Sequence, residues 1–401
     1  MISRPLDGRW LAAAVVVAYA LVFGMAVRAW GTDRAFLAAG VPTVGRHFSD
    51  LYVFPAAATE FAHGGNPYLS NPTDPWQRTY NYPRVWLLFM RYSPAAVPLF
   101  GFGLAAAWLV ILGLSWGRLS PLQGLLAGAA ACSPPAMLAL ERGNSDLIIF
   151  LLLAAALAGL ARGWRIAGWF GLFFASVLKL YPAVSFAVLA QGGWRRAQGW
   201  LWAAVGGLGA WTLLNLDEIR AIAHNTPTGG PAISYGSAVL FSIADLLQQE
   251  RTGTWAGYSS HAWLGGAAAA LLAGLMAWVG FQRCSAAPTP AFDRALAGFQ
   301  AGALVYIATF ILGSNFAYRQ IFLLLGLPWL LRRDDAFPLP QARVAAAGGL
   351  FLLLWANPQW WLPLIALREI ASWGLVALLA CLVGGTLPSR ASPEDAAGNQ
   401  V

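Results

Sequence analysis

Long apolar runs joined by short, arginine-bearing connections constrain this chain more than any other feature. A helix needs about 20 apolar residues to span a bilayer. Runs of that length, or slightly shorter, recur at 10–28, 95–117, 122–140, 146–161, 198–216, 262–281, 295–313, 317–331, 343–357 and 370–387. Within hydrocarbon every backbone polar group needs an internal partner, which restricts such runs to helices. Of the 401 residues 58% are hydrophobic and 10% charged, whereas a soluble domain carries about 25% charged residues. The chain therefore reads as an all-α polytopic membrane protein. Its shorter runs are expected to tilt or to sit inside the bundle. No charged linker divides it, so residues 1–388 read as one transmembrane domain and 389–401 as a polar cytoplasmic tail.

The arginines give an orientation. Arg4, Arg9, Arg118, Arg162, Arg165, Arg195, Arg196, Arg283, Arg294, Arg332 and Arg333 fall in short tails or connections, and such residues stay on the cytoplasmic side. The loops 31–94, 141–146, 217–261 and 314–319 then lie outside. The formal net charge of +8 is explained by this topology and does not point to nucleic acid. Cys132, Cys284 and Cys381 suggest no disulfide framework. The run from Trp10 to Val27 lacks an obvious cleavage site and reads as a retained first span in the plasma (inner) membrane.

Residues 168–191, GWFGLFFASVLKLYPAVSFAVLAQ, contradict a simple crossing. Both flanks are basic, so one crossing would put Arg162 and Arg165 or Arg195 and Arg196 outside. Pro182 removes a backbone donor and disfavours helix in the residue before it. Two half-helices meeting at Lys179–Pro182 resolve the conflict, and the freed polar groups can line a cavity. With that hairpin the bundle has about 10–12 segments and both termini in the cytoplasm.

Residues 45–83 interrupt this pattern with GRHFSDLYVFPAAATEFAHGGNPYLSNPTDPWQRTYNYP. Loops longer than roughly 12–15 residues are usually functional or disordered, and this one is too aromatic for a disordered tether. Trp76, Tyr80, Tyr82 and Trp86 suit a water–lipid boundary. Two roles fit Asp50: a cap for the run beginning at Val53, or a general base that removes a proton from a hydroxyl. Asp33, Glu60 and Asp74 form no Asp-x-Asp pair, so no divalent-metal site is indicated. The stretches Gly64–Tyr68 and Asn81–Pro83 are turn chemistry. Tyr68, Asn81 and Tyr82 are also suited to the wall of a sugar or head-group site.

Other candidates lie outside this loop. Lys179 is the single lysine among 25 basic residues. A cation at mid-membrane costs about 2.5–3.5 kcal/mol on insertion scales and is usually functional. A phosphate ligand at the helix break fits Lys179; snorkelling or an ion pair is the plainer role. Arg319, outside against the arginine trend, is a second phosphate clamp or a snorkelling residue. In the turn Glu141–Asp146, Glu141 and Arg142 can pair, and Asp146 is expected to cap the next helix. His47, His63, His224 and His261 all fall in outer loops, but their spacing matches no metal motif.

Taken in order, these residues resemble a known group. An aspartate in the first outer loop is followed by G-N-P-Y, N-Y-P, a G-N at the head of a span, and L-K-L-Y-P. This order is similar to glycosyltransferase family 87, a GT-C-type membrane family that includes polyprenyl-phosphate-mannose-dependent α-1,2-mannosyltransferases. The resemblance covers most of the first half of the chain and, loosely, Asn315 to Arg319. It implies a GT-C bundle with an extracytoplasmic active site and an inverting hexosyltransferase acting without a cofactor. The donor would be a polyprenyl-phosphate-linked, mannose-like sugar and the acceptor a lipid or glycan. Asp50 would be the general base. Lys179 and Arg319 would hold phosphate, with Tyr68, Asn81, Tyr82, Asn144 and Tyr181 in the substrate site. Arg84 departs from the Pro-Pro that often follows the tyrosine, which bears on acceptor preference. The rival classes are a transporter or lipid flippase and a non-catalytic assembly subunit. A cavity joining Asp50 and Lys179 to one leaflet would separate an enzyme from a transporter.

Overall fold

The computed structural model describes residues 7–255, 257–284, 292–332, 339–356 and 361–388. Arg4, Arg333 and the polar tail 389–401 lie outside the described residues. Helices dominate. Among the described residues the strands reduce to one antiparallel bridge, Ser234–Tyr235 against Asn315–Phe316.

Five helices are long and apolar enough to cross a membrane unaided: Gly8–Trp30, Pro94–Ser115, Tyr258–Cys284, Arg294–Ile311 and Leu362–Gly385. A sixth span arises if Pro121–Ala131 and Pro134–Arg142, bent by 47°, are taken together. The bend falls where Pro134 and Pro135 withhold two backbone donors. The first helix turns Val17, Leu21, Val22 and Met25 outward, an arrangement suited to lipid rather than water. The protein is thus membrane-embedded, all-α and polytopic. The expected segment 198–216 lies in a regular helix of 21 residues, Trp194–Leu214, and several other expected segments are shorter or less regular. Asp146–Ala161 and Arg165–Leu178 are short apolar helices. The 317–331 stretch is a 3-10 helix, Ala317–Leu325, followed by a single turn, Leu327–Leu330.

Small residues let the long helices approach closely. A Cβ on Gly280 would lie 1.8 Å from the Cys381 carbonyl oxygen, and one on Gly384 would lie 1.9 Å from that of Ala277. These contacts seat Ala262–Cys284 against Leu362–Gly385 in parallel. The basic connections gather at one end. There the Gly8 amide donates to Leu119 O, Arg332 pairs with Asp293 at 2.6 Å, and Gln191 donates to Gln300, which donates to Thr386.

Residues 168–191 break as the flanking charges require. Helix Arg165–Leu178 stops at Lys179, whose backbone is extended (φ −149°, ψ 132°), and a 3-10 helix runs from Tyr181 to Gly192. Arg165 and Arg196 line one cavity, so the two basic flanks share an end of the bundle.

The loop at 31–94 folds onto the opposite end through Ser49–Leu51, Val53–Ala62 and Arg84–Leu88. Its aromatics correct one expectation. Tyr80, Tyr82 and Trp86 are buried and pack around Phe54 instead of lying along a lipid boundary. The connection 217–261 covers them. In it, Asn225 Nδ2 donates to the carbonyls of Tyr68 and Tyr80 at 2.7 and 3.1 Å. From beneath, Trp86 Nε1 donates to Leu178 O at 3.0 Å, tying the loop to the helix end before Lys179.

A candidate active site at the junction of three connections

Two left-handed residues put Asp50 opposite Asn144. Phe48 has φ 57° and its amide donates to Glu141 O at 2.6 Å. Gly143, at φ 58°, ends helix Pro134–Arg142, and a Cβ there would lie within 3.0 Å of Leu51 and Phe48 side-chain atoms. Glycine therefore serves both the turn and the close approach. Asn144 Nδ2 donates to Asp50 Oδ2 at 2.5 Å, and Asn144 Oδ1 accepts from the Asp146 amide at 2.9 Å.

That second bond overturns a sequence expectation. Asn144, not Asp146, satisfies the free amide at the start of helix Asp146–Ala161. The Asp146 carboxylate is left to pair with both candidate cations. Lys179 Nζ donates to Asp146 Oδ1, and Arg319 Nε lies 3.4 Å from Asp146 Oδ2 as an ion pair without a hydrogen bond. Lys179 thus makes the ion pair that was its plainer role, and Arg319 joins it. Tyr82 presents its ring 5.2 Å from Lys179 Nζ, and Tyr181 does the same 5.3 Å from the Arg319 guanidinium. Both contacts fall within cation–π range.

Asp50 does not cap the following helix. It sits inside the 3-10 turn Ser49–Leu51, and helix Val53–Ala62 has no side-chain cap. Its other oxygen, Oδ1, lies 3.2 Å from Arg78 Nη1. Arg78 is held by Asp74, through Nε at 3.1 Å and Nη2 at 2.9 Å, and by Ser49 O at 2.7 Å. Burial alone works against the guanidinium charge. The Asp74 hydrogen bonds and the Asp50 and Asp74 carboxylates outweigh it, so the Arg78 pKa is raised. The Tyr82 phenol is also raised, first by burial and then by the Asp50 carboxylate, and stays protonated.

The sequence candidates divide accordingly. Asp50, Asn144, Lys179, Arg319, Tyr82 and Tyr181 come together. Tyr68 stands behind them, its hydroxyl donating to Tyr82 O at 2.9 Å. Asn81 is half-buried and makes no side-chain hydrogen bond among the described residues. Arg84 faces away, its amide donating to Glu218 and its guanidinium stacked 4.5 Å over Phe61. Arg78 and the pairing role of Asp146 were missed. Arg78 sits in a Trp-Gln-Arg stretch that carries no motif. Asp146 was masked by its position, since an acid at a helix start is ordinarily read as a cap.

One carboxylate, Asp146, serves two cations, so this triad carries an excess positive charge, which the Asp50 and Asp74 carboxylates around Arg78 offset across the whole cluster. Asp146 is fully buried, while Lys179, Arg319 and Asp50 expose 12%, 16% and 18% of their side chains. Each of the three is therefore partly exposed, although none of them lines the cavity at Arg165 and Arg196 or the one at Trp76. A cavity of about 440 Å³, lined by Val44, Gly45, Arg46, Pro75 and Trp76, opens beside the cluster; Trp76 lies under Arg78 at 4.7 Å. Glu141 pairs with Arg142 at 3.2 Å and approaches His47 at 3.7 Å. No family model, curated protein or solved structure matches this chain.

Proposed function

We propose that the protein is a membrane hexosyltransferase of GT-C type, moving a mannose-like sugar from polyprenyl phosphate to a lipid or glycan acceptor on the outer face of the plasma membrane. The observation that carries this reading is the joining of a partly exposed carboxylate, Asp50, to a cation pair, Lys179 and Arg319, through Asn144 and Asp146. Glycosyl transfer from a phosphate donor needs these two parts: a base for the incoming hydroxyl and positive charge for the departing phosphate.

In this mechanism the acceptor hydroxyl displaces Arg78 from Asp50 Oδ1. Arg78 keeps its bonds to Asp74 and Ser49, and Asn144 continues to orient Asp50 through Oδ2. The hydroxyl gives its proton to Asp50 as its oxygen attacks the anomeric carbon from the face opposite the leaving group. The bond between that carbon and the phosphate oxygen breaks with inversion, and polyprenyl phosphate leaves with the electron pair. Its charge grows beside Lys179 and Arg319, which Tyr82, Tyr181 and Asp146 already hold in place. Such preorganised charge is commonly the largest single contribution to a rate. The buried aromatic floor of Tyr80, Tyr82 and Trp86 keeps this geometry rigid.

The test is to present purified protein with a panel of polyprenyl-phosphate sugars and lipid or glycan acceptors. Appearance of a glycosylated acceptor together with free polyprenyl phosphate is expected. Movement of a lipid-linked sugar across vesicles with no bond made or broken would replace this reading with a flippase.

A further inference from the structure

The opposite end of the bundle holds a second built feature that the transfer reading leaves unused. A cavity of about 320 Å³ opens between the connections after Ala161 and before Trp194. That volume is at the lower limit of small-ligand pockets. Leu160, Leu189, Trp200 and Phe292 form its apolar wall, and Arg165 and Arg196 stand at its rim. The floor is braced, since Trp169 Nε1 donates to Trp200 O at 3.0 Å and stacks on Phe173.

The two rim arginines have no counter-charge among the described residues. Among the described residues neither guanidinium makes a hydrogen bond, ion pair or ring contact, and no carboxylate lines the cavity. The acid next to the wall residue Phe292 is Asp293, which is already bound by Arg332 at 2.6 and 3.1 Å. Beside the cavity, Trp164 at the head of helix Arg165–Leu178, Ile166 and Phe170 on that helix, and Trp202 on helix Trp194–Leu214 turn outward, a surface suited to acyl chains. Basic pockets between membrane helices take phosphate head groups.

We propose that this cavity is a head-group site for an anionic phospholipid. The phosphate would sit between Arg165 and Arg196, with the glycerol against Trp200 and the chains along the outward faces of the two helices. The proposal is independent of sugar transfer. The test uses the full chain in a neutral detergent, titrated separately with phosphatidylglycerol and phosphatidylcholine, with adducts counted by native mass spectrometry. Wild-type protein is expected to prefer phosphatidylglycerol by roughly ten-fold or more, given two charge-assisted contacts. The double variant R165Q/R196Q should lose that preference. R118Q, at the same end but outside the cavity, should keep it. Both rim arginines are exposed, so the double variant should fold, and an unchanged unfolding midpoint checks this. A double variant that retains the preference would overturn the proposal. So would millimolar inorganic phosphate displacing the lipid, which would mark a site for a free anion.

Discussion

At the scale of single residues, Asp146 is the most exacting position. It is fully buried and is the carboxylate that Lys179 and Arg319 share. Removing one partner of a buried ion pair typically costs about 3–5 kcal/mol, because the remaining charge is left uncompensated. Asp146→Asn keeps the size of the side chain and leaves two cations without an anion. Thermal unfolding in detergent should show a marked drop in midpoint, partly restored by a polyprenyl phosphate. An unchanged midpoint would mean the cations are solvated and the triad is incidental. Asp245 supports a pH prediction. Burial pushes its carboxyl up, but the Ser259 and Tyr258 amides, at 2.9 and 2.7 Å, hold it below the usual range. A depressed native pKa adds stability above the unfolded value of about 3.9 and loses it as pH falls through the native value. Hydrogen exchange corrected for intrinsic rates should show residues 257–261 losing protection between pH 6 and pH 3. Asp245→Asn should show little protection at either pH; equal protection in both proteins would remove the carboxylate from this role.

Among the elements, the break at Lys179 was legible in sequence because two independent signals coincided: basic residues on both flanks and a proline near the middle. The same charge pattern makes a labelling prediction. In a background lacking Cys132, Cys284 and Cys381, cysteines at positions 162 and 195 should react with an impermeant reagent from one side of the membrane, and a cysteine at Ser70 from the other. Labelling of 162 and 195 from opposite sides would contradict the hairpin. The first loop was less legible. Its turns followed from Asn66, Pro67 and the glycines, and Asn66 Oδ1 does accept the Tyr68 amide at 3.1 Å. The inward burial of Tyr80 and Trp86 was not readable, because aromatic content alone does not distinguish a lipid-facing belt from a core. Asn225 decides between them, and it lies 145 residues beyond Tyr80.

For the whole molecule, hydropathy was sufficient to establish a membrane-embedded helical bundle, since no other fold satisfies backbone groups over such long apolar runs. It did not distinguish long spans from the short helices and 3-10 segments packed inside, because apolar character is shared by lipid-facing and buried surfaces. The site residues were readable one by one, but their connections were not. The bond from Asn144 to Asp50 joins residues 94 apart, and only the folded chain brings them together. If Lys179 and Arg319 are the charges that receive the phosphate, transfer should be undiminished by a chelator. Loss of activity restored by one divalent metal would assign that charge elsewhere.

The central claim, that Asp50 is the base for transfer from a phosphate donor held by Lys179 and Arg319, is tested most directly by comparing wild-type protein with Asp50→Asn. The substitution keeps the side-chain size and an oxygen for Asn144, so the fold and donor binding should survive. Sugar transfer from polyprenyl-phosphate mannose, followed as glycosylated acceptor, should fall by roughly 10²–10⁴-fold, the range associated with loss of a general base. Equal turnover by the two proteins, with donor binding intact in both, would contradict the account.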